Sequence, residues 1–436
     1  MNAPFPELMI LYMNYLAPCF SYDSRPLFEG YALGLLLCIS RKCMKRIATV
    51  CWFVDRKLSS WERFLSEHHW SSERLSKLFF ELLLFRLRQL GVDFSEFLFV
   101  LDTTLVTKVK GRMLGVQKWT ADPGDDGAEK RVIGHHWAIL GLMVRLSNRY
   151  LCFGVLSRLI FGKLTSTHFI VDERGNCRLA TFWDPIHTMI WQTLTLSQTS
   201  ITLVCDAYFS KVGFLGPLAF HNANSAKKVQ VITRMRWDAV CFALYPPKRQ
   251  GTRGPHPKLP ESRKIRDLLK IESRRQWEVF LYGHSVPIEG VVVIRKIRDF
   301  EKMLKLVVVD TGSSRPLILL SLDIHRTPEE IIERYGARFS IEIFIRECKS
   351  EFGLSQYQCY STLAIFRFVQ LCLMITSLWK LFWVETQPQQ EEIRFKDLKT
   401  SIRLQAIRFA FSQSPCNSAD LRNFEPIIQR ILKMSA

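Results

Sequence analysis

The stretch that decides the fold is residues 97–102, FLFVLD, five apolar residues followed by an acidic one. A short continuous apolar run is typical of a strand that is buried on both faces of a sheet. A second run, residues 201–205, is followed in the same way by Asp206. Since open sheets present functional side chains at strand ends, Asp102 and Asp206 are the first candidates for a site.

The sequence around these two runs contains further segments that are typical of strands. Candidates within the same region lie at 137–144, 150–156 and 229–233. Residues 235–325 then read as an inserted β-rich module, with candidate strands at 239–244, 278–282, 290–295, 304–309 and 317–322. Apolar runs of this length, bounded by turn residues, favour strands over helices.

Residues 1–90 read as helical, because apolar residues recur there at helical spacing. The pieces 59–70 and 71–90 could form a DNA-binding helix pair, although a plain helical bundle is the favoured interpretation. The longest apolar run, residues 363–383, contains Arg367, Gln370 and Lys380. These polar residues favour a buried helix over a membrane span, so we predict a cytoplasmic, nucleoid-associated protein without a membrane partner.

The composition points to a polyanionic partner. The 436 residues carry a formal net charge of +19, and 48% of them are hydrophobic, which excludes a disordered chain. Between 246 and 276, ten basic residues stand against three acidic ones, which favours contact with a phosphate backbone. The 12 cysteines contain no C-x-x-C pair, which fits a reducing compartment better than a disulfide framework or a zinc site.

A long helix is predicted from Thr327 to about residue 352. Thr327 and Glu330 match a capping box, and Pro328 stands at the first helical position. At about 100° per residue, four polar residues share one narrow stripe between two apolar shoulders. They are Tyr335, Arg338, Glu342 and Lys349. Such a stripe suits a crevice in which a carboxylate faces a ligand among cationic neighbours.

The spacing Tyr335-x2-Arg338-x3-Glu342-x6-Lys349 resembles the Tyr-Arg-Glu-Lys signature of bacterial insertion-sequence transposases with a DDE triad. Two further segments are similar to the aspartate motifs of that family. The first is Asp102-Thr103-Thr104 with Lys108 and Gly111, and the second is Asp206-Ala207-Tyr208-Phe209. The long gap between Asp206 and Glu342 is expected in this family because of its β-rich insertion.

The resemblance implies an α/β fold: an RNase H-like mixed sheet flanked by helices, with the β-rich module inserted and an all-helical N-terminal domain. We accordingly predict a DNA-end-binding domain at 1–93, a core in two parts at 94–234 and 326–384, the insertion at 235–325, and a helical tail at 385–436.

It also implies a metal-dependent mechanism. Asp102 would bridge two Mg²⁺ ions, for which Mn²⁺ would substitute, while Asp206 and Glu342 would each bind one ion. Tyr335, Arg338 and Lys349 would bind DNA near the terminal phosphate of the transposon. Further DNA contacts are predicted at Arg234, Arg236, Lys108, Lys248, Arg249 and Arg253.

The function implied is cut-and-paste transposition by a homodimer that acts on double-stranded DNA, at transposon ends and in the target, with no small-molecule substrate. The sequence leaves two alternatives open. One is a catalytically inert DNA-binding derivative of a transposase, and the other is a structure-selective nuclease of the same fold. A hairpin-forming step also stays open, because residues 303–327 contain no tryptophan.

Overall fold

The computed structural model describes residues 6–51, 53–108, 113–120, 131–146, 149–162, 169–171, 177–179, 182–242, 262–281, 283–297, 300, 302–313, 315–386 and 395–412. Predictions for Lys248, Arg249 and Arg253 fall outside these residues.

Among the described residues, five α-helices precede the first strand: α1 (Glu7–Leu16), α2 (Arg25–Leu37), α3 (Met44–Val50), α4 (Leu58–Phe64) and α5 (Ser72–Gln89). Helix α5 begins where the Ser71 side chain accepts a hydrogen bond from the Arg74 amide, which satisfies one donor of the first turn. Its apolar face is buried, and these helices share one hydrophobic core with the strands that follow.

The next part of the chain contains β1 (Phe97–Thr107), β2 (Gln117–Thr120), β3 (Arg131–Leu146), β4 (Arg149–Ile160), β5 (Phe169–Val171), β6 (Cys177–Leu179), α6 (Asp184–Ser197), β7 (Ile201–Cys205), α7 (Val212–Asn224) and β8 (Val229–Met235). The central strands lie in the order β4–β3–β1–β7–β8. Strands β1, β7 and β8 are parallel, and β3 is antiparallel to β1. The expected mixed sheet flanked by helices is confirmed.

One boundary prediction was wrong. The strand expected to end at Asp102 continues to Thr107, so Asp102 lies inside β1. The reason is that β1 pairs with two neighbouring strands over different lengths. Its parallel pairing with β7 ends at Leu101 and Cys205, whereas its antiparallel pairing with β3 continues to Thr107.

The region predicted as an insertion contains β9 (Val240–Phe242), β10 (Ser262–Lys264), α8 (Leu268–Ile271), β11 (Arg275–Leu281), β12 (His284–Ile297), β13 (Leu304–Val309) and β14 (Leu317–Ser321). Strand β13 agrees with its predicted bounds, whereas β10 and α8 were not predicted. Because β14 pairs with β8, these strands extend the central sheet, which reaches twelve strands in the part of the chain described.

Four helices complete the described fold: α9 (Pro328–Gly336), α10 (Phe339–Ser350), α11 (Thr362–Thr386) and α12 (Phe395–Ser412). Helix α11 is long and apolar enough to cross a membrane, but 83% of its most apolar window is buried inside the protein. It packs against β4, and the Gln370 amide donates to the Val155 carbonyl on that strand. The prediction of a buried helix at 363–383 is therefore confirmed.

The single helix predicted from Thr327 to residue 352 is in fact two helices. The capping box of Thr327 and Glu330 is present, but the helix is interrupted at Ala337 and Arg338. At this point the amide of Arg338 bonds to the Tyr335 carbonyl three residues back, at 3.0 Å, which is the tighter 3₁₀ spacing. Gly336, a poor helix former, immediately precedes the break.

Candidate active site

Asp102 and Asp206 are brought together by strand register. Strands β1 and β7 are parallel, and their last paired residues are Leu101 and Cys205. The next residue on each strand is an aspartate. Two carboxylates therefore stand side by side at the carboxyl end of β7, and the negative charge of Asp206 helps to raise the pKa of Asp102.

Glu342 reaches the same place from α10, which packs across the sheet. Phe344, two residues further along, is fully buried and lies over Gly154 on β4. A Cβ at Gly154 would lie 2.5 Å from the Phe344 ring, so a residue without a side chain is needed for this approach. Because α10 packs against β4 at this contact, we infer that the contact helps to position Glu342.

Arg338 joins two of the acidic residues. Its Nη1 lies 3.4 Å from Oδ2 of Asp102, and its Nη2 donates a hydrogen bond to Oε1 of Glu342. The guanidinium carbon also lies 6.0 Å from the centre of the Tyr335 ring. Thus Tyr335, Arg338, Glu342 and Asp102 occupy one crevice, even though the helix carrying the stripe is broken.

The electrostatics of Asp102 are unusual for an aspartate. Burial raises its pKa to about 6, together with the charges of Asp206 and Glu342. A hydrogen bond from the Thr103 amide and the charge of Arg338 act in the opposite direction and are outweighed. Asp102 therefore keeps its proton to a higher pH than an exposed aspartate does, because its pKa is raised.

Asp206 also has a structural role. Its Oδ1 accepts a hydrogen bond of 3.0 Å from the Tyr208 amide and so caps the short 3₁₀ helix Ala207–Phe209. Its carbonyl accepts a 2.6 Å hydrogen bond from Thr233 on β8. These bonds fix the backbone at the point where β7 ends, so the position of the carboxylate is set by two neighbouring elements.

An open cleft of about 500 Å³ lies beside these groups, lined by Asp102, Thr103, Glu342, Ile345, Arg346, Lys349 and Ser350. Burial lowers the pKa of Lys349, and the charge of Asp102 partly offsets that shift. Arg346 is exposed and was not among the predicted residues. Its position four residues after Glu342 would have indicated it, because residues i and i+4 share a helix face.

Two further arginines were predicted from the end of β8. Arg234 lies close enough to Tyr335 to lower the pKa of that phenol, although burial raises it overall. Arg236 is exposed and forms an ion pair with Asp238 at 3.0 Å. Arg234 therefore borders the crevice, whereas Arg236 lies on an exposed surface with a partner of its own.

Lys108 needs a correction. It was expected to bind DNA, but it is buried, and its Nζ donates to the Tyr357 carbonyl at 2.6 Å. The ammonium also lies 3.3 Å from the centre of the Tyr357 ring, and burial lowers its pKa to about 8. Because its hydrogen bonds are directed to backbone carbonyls, we assign Lys108 the role of anchoring the loop after α10.

The acidic residues fit a divalent metal by chemistry. Carboxylate oxygens are the ligands that Mg²⁺ prefers, and the crowding that raises the pKa of Asp102 is what a cation would relieve. Among the described residues, no three His, Cys, Asp or Glu side chains stand close enough to hold one ion together. Arg338 lies between Asp102 and Glu342, so its guanidinium must move before both can bind one ion.

Comparison with known protein families places these residues in two matched regions. A family model described as DDE superfamily endonuclease matches residues 15–147, which include Asp102. A second, described as transposase DDE domain, matches residues 186–378, which include Asp206 and Glu342. No curated protein matches the chain.

Proposed function

This chain belongs to the DDE transposases, and from that premise we propose that Asp102, Asp206 and Glu342 form its catalytic triad. The observation that supports the assignment is that Arg338 contacts both Asp102 and Glu342, while Asp206 stands beside Asp102 at the carboxyl end of β7. The match of Tyr335, Arg338, Glu342 and Lys349 to the Tyr-Arg-Glu-Lys signature belongs to the same proposal.

The reaction that we propose is cleavage of a phosphodiester by water, followed by attack of a DNA 3′ hydroxyl on a second phosphodiester. Asp102 would bind both of two Mg²⁺ ions, Asp206 one of them and Glu342 the other, with Mn²⁺ able to replace Mg²⁺. When bound, the ions supply positive charge next to the attacking and leaving oxygens.

The remaining residues of the crevice act on the substrate. Arg338 and Lys349 would bind non-bridging phosphate oxygens, for which a guanidinium offers two parallel donors. The Tyr335 hydroxyl can donate to the same phosphate, and burial keeps that hydroxyl protonated because it raises the pKa. Arg234 would contribute further positive charge beside Tyr335. Together these groups hold the phosphate in position against the carboxylates.

Several finer points belong to the proposal as well. We propose a cut-and-paste reaction carried out by a homodimer associated with the nucleoid, with the helices before β1 contacting transposon ends. The boundaries 1–93, 94–234, 235–325, 326–384 and 385–436 stay predictions for the division of the chain into functional parts.

The test is nicking of supercoiled DNA that carries the element ends, in the presence of Mg²⁺. Asp206→Asn and Glu342→Gln should abolish nicking while retaining DNA affinity, because binding depends on basic residues and the carboxylates serve the metal. Glu278→Gln, at an exposed carboxylate on β11, is the matched control and should nick normally. Nicking that persists in either triad variant would remove the active-site assignment.

The same assay separates the alternatives. A wild-type protein that binds ends but never nicks them would be an inert DNA-binding derivative. Cleavage of branched DNA without any requirement for element ends, and without strand joining, would indicate a structure-selective nuclease.

A further inference from the structure

The loop that follows α10 connects the candidate active site to a basic surface of the N-terminal region. Ser350, at the end of α10, lines the cleft, and Gly353 ends the helix with φ of 73°, in the left-handed region. A Cβ at Gly353 would lie 2.8 Å from Cδ of Lys42, so the two segments are in direct contact.

Hydrogen bonds hold this junction in place. The Lys42 amide donates a 2.7 Å hydrogen bond to Oε1 of Gln356. Lys108, which directly follows β1, holds the Ser355 and Tyr357 carbonyls from the other side. The loop is thus fixed both to β1, which carries Asp102, and to the segment around Lys42.

Three cations beside Lys42 face solvent. Arg41, Lys45 and Arg46 are all exposed, and no ion pair within the described part of the chain involves any of them. Lys42 itself is buried and donates to the Cys38 carbonyl at 2.7 Å, so it belongs to the junction and not to the surface. Arg41 is close enough to Lys108 for its charge to lower the pKa of that residue.

The same pattern continues on α10. Arg346 and Lys349 line the cleft, and neither has an ion-pair partner in the described ranges. The acidic residues of this helix and its end are paired with other cations: Glu342 with Arg338, Glu347 with Lys380, and Glu351 with Lys399. Hence cations without carboxylate partners lie on both sides of the junction. Arg346 and Lys349 are separated by about 4.5 Å along α10, and the loop after this helix leads to the 41–46 segment.

We propose that Arg41, Lys45 and Arg46 bind the phosphate backbone of the DNA duplex where it leaves the catalytic cleft past Arg346. This basic track rests on the proposed function, because it is assigned to the DNA held in that cleft. Exposed cations that are close in sequence suit a polyanion such as DNA, to which affinity comes from release of condensed counterions. Since the contacts are to phosphates, the track sets the path of the duplex and reads no sequence.

The test measures the dependence of binding on salt, using the full chain and a 40-base-pair duplex of mixed sequence. Each lost phosphate contact should reduce the slope of log K against log salt by about 0.9. Between 50 and 200 mM salt, the wild type should lose about tenfold more affinity than the variant that combines Lys45→Gln with Arg46→Gln. Lys227 is an exposed lysine next to the amino end of β8. The Lys227→Gln variant is the control for loss of a surface lysine charge, and it should keep the wild-type slope.

Two arms make the result decisive. The exchange Lys45→Arg with Arg46→Lys retains both charges and should restore the slope. At saturating protein, the Lys45→Gln, Arg46→Gln variant should still nick DNA, whereas Asp206→Asn should not, so failure of the track and failure of the triad give different results. An unchanged slope in the charge-removed variant would overturn the proposal. The proposal would also be overturned if the charge-removed variant bound the DNA duplex as wild type does and lost binding only to anionic lipid vesicles or only to RNA.

Discussion

The guanidinium of Arg338 lies against the carboxylate of Asp102, with 3.4 Å between Nη1 and Oδ2, while its other terminal nitrogen bonds to Glu342. A cation of the protein thus occupies the place between two proposed metal ligands. The same arginine is a proposed phosphate ligand. Binding of DNA would offer it a new partner and release the two carboxylates together.

Replacing Arg338 should therefore make the carboxylates more available to a metal. In DNA-free protein at pH 8, Arg338→Ala should bind Mn²⁺ roughly tenfold more tightly than wild type, which corresponds to about 1.4 kcal/mol. Titration calorimetry or the electron paramagnetic resonance of free Mn²⁺ measures this change. Arg346→Ala, which removes an exposed cation on the same helix, is the control, and equal effects of both variants would show that only general charge matters.

The pKa of Asp102 predicts how stability depends on pH in metal-free protein. A carboxyl whose pKa is raised to about 6 holds its proton more tightly folded than unfolded, so its contribution to stability falls as pH rises from about 4 to above 6. Asp102→Asn removes this cost and should raise the free energy of unfolding at pH 7 by up to about 3 kcal/mol. Urea denaturation at pH 4 and pH 7 tests it, and a gain that does not depend on pH would contradict the assignment.

Replacing Lys108 tests whether this buried lysine stabilises the fold or binds DNA. Lys108→Met should lower the free energy of unfolding by about 2 kcal/mol, because buried carbonyls lose their donor. Its DNA affinity, measured under conditions where the protein stays folded, should match wild type. Lys118→Met, at an exposed position on β2, should leave stability unchanged. A stable Lys108→Met variant with weakened DNA binding would restore the original prediction for this residue.

Replacing Gly154 tests whether its contact with Phe344 positions α10 and therefore Glu342. An added methyl group would meet the Phe344 ring at 2.5 Å and Leu373 Cβ at 3.4 Å, so α10 must shift. Gly154→Ala should destabilise the protein by about 1–3 kcal/mol and reduce nicking more than DNA affinity. Gly216→Ala, where the nearest atom beyond the helix backbone lies at 3.9 Å, is the control and should be neutral or slightly stabilising. Normal nicking by Gly154→Ala would show that α10 is not positioned by this contact.

The fold was predictable where local pattern decides it. Apolar runs located β7 and β13, and the capping box of Thr327 located the start of α9, because these signals depend only on neighbouring residues. Such runs do not show which strands pair with one another. The continuation of β1 beyond Asp102 and the joining of β14 to β8 depend on distant partners.

The site was predictable to a similar degree. Spacing on a helix brought Tyr335, Arg338 and Glu342 to one stripe, and the structure places them together. Spacing could not show that Arg338 would bind Asp102, 236 residues away, since that contact depends on how α10 crosses the sheet. Nor could it show the burial of Lys108, which is set by the loop after α10.

The most direct measurement is Mn²⁺ binding to the protein–DNA complex, compared between wild type and Asp102→Asn, Asp206→Asn and Glu342→Gln. We expect wild type to bind two ions and each substitution to weaken binding at least tenfold, with Asp102→Asn affecting both ions. Glu278→Gln should bind as wild type does. Undiminished Mn²⁺ binding by all three variants would contradict the claim that these carboxylates hold the metal.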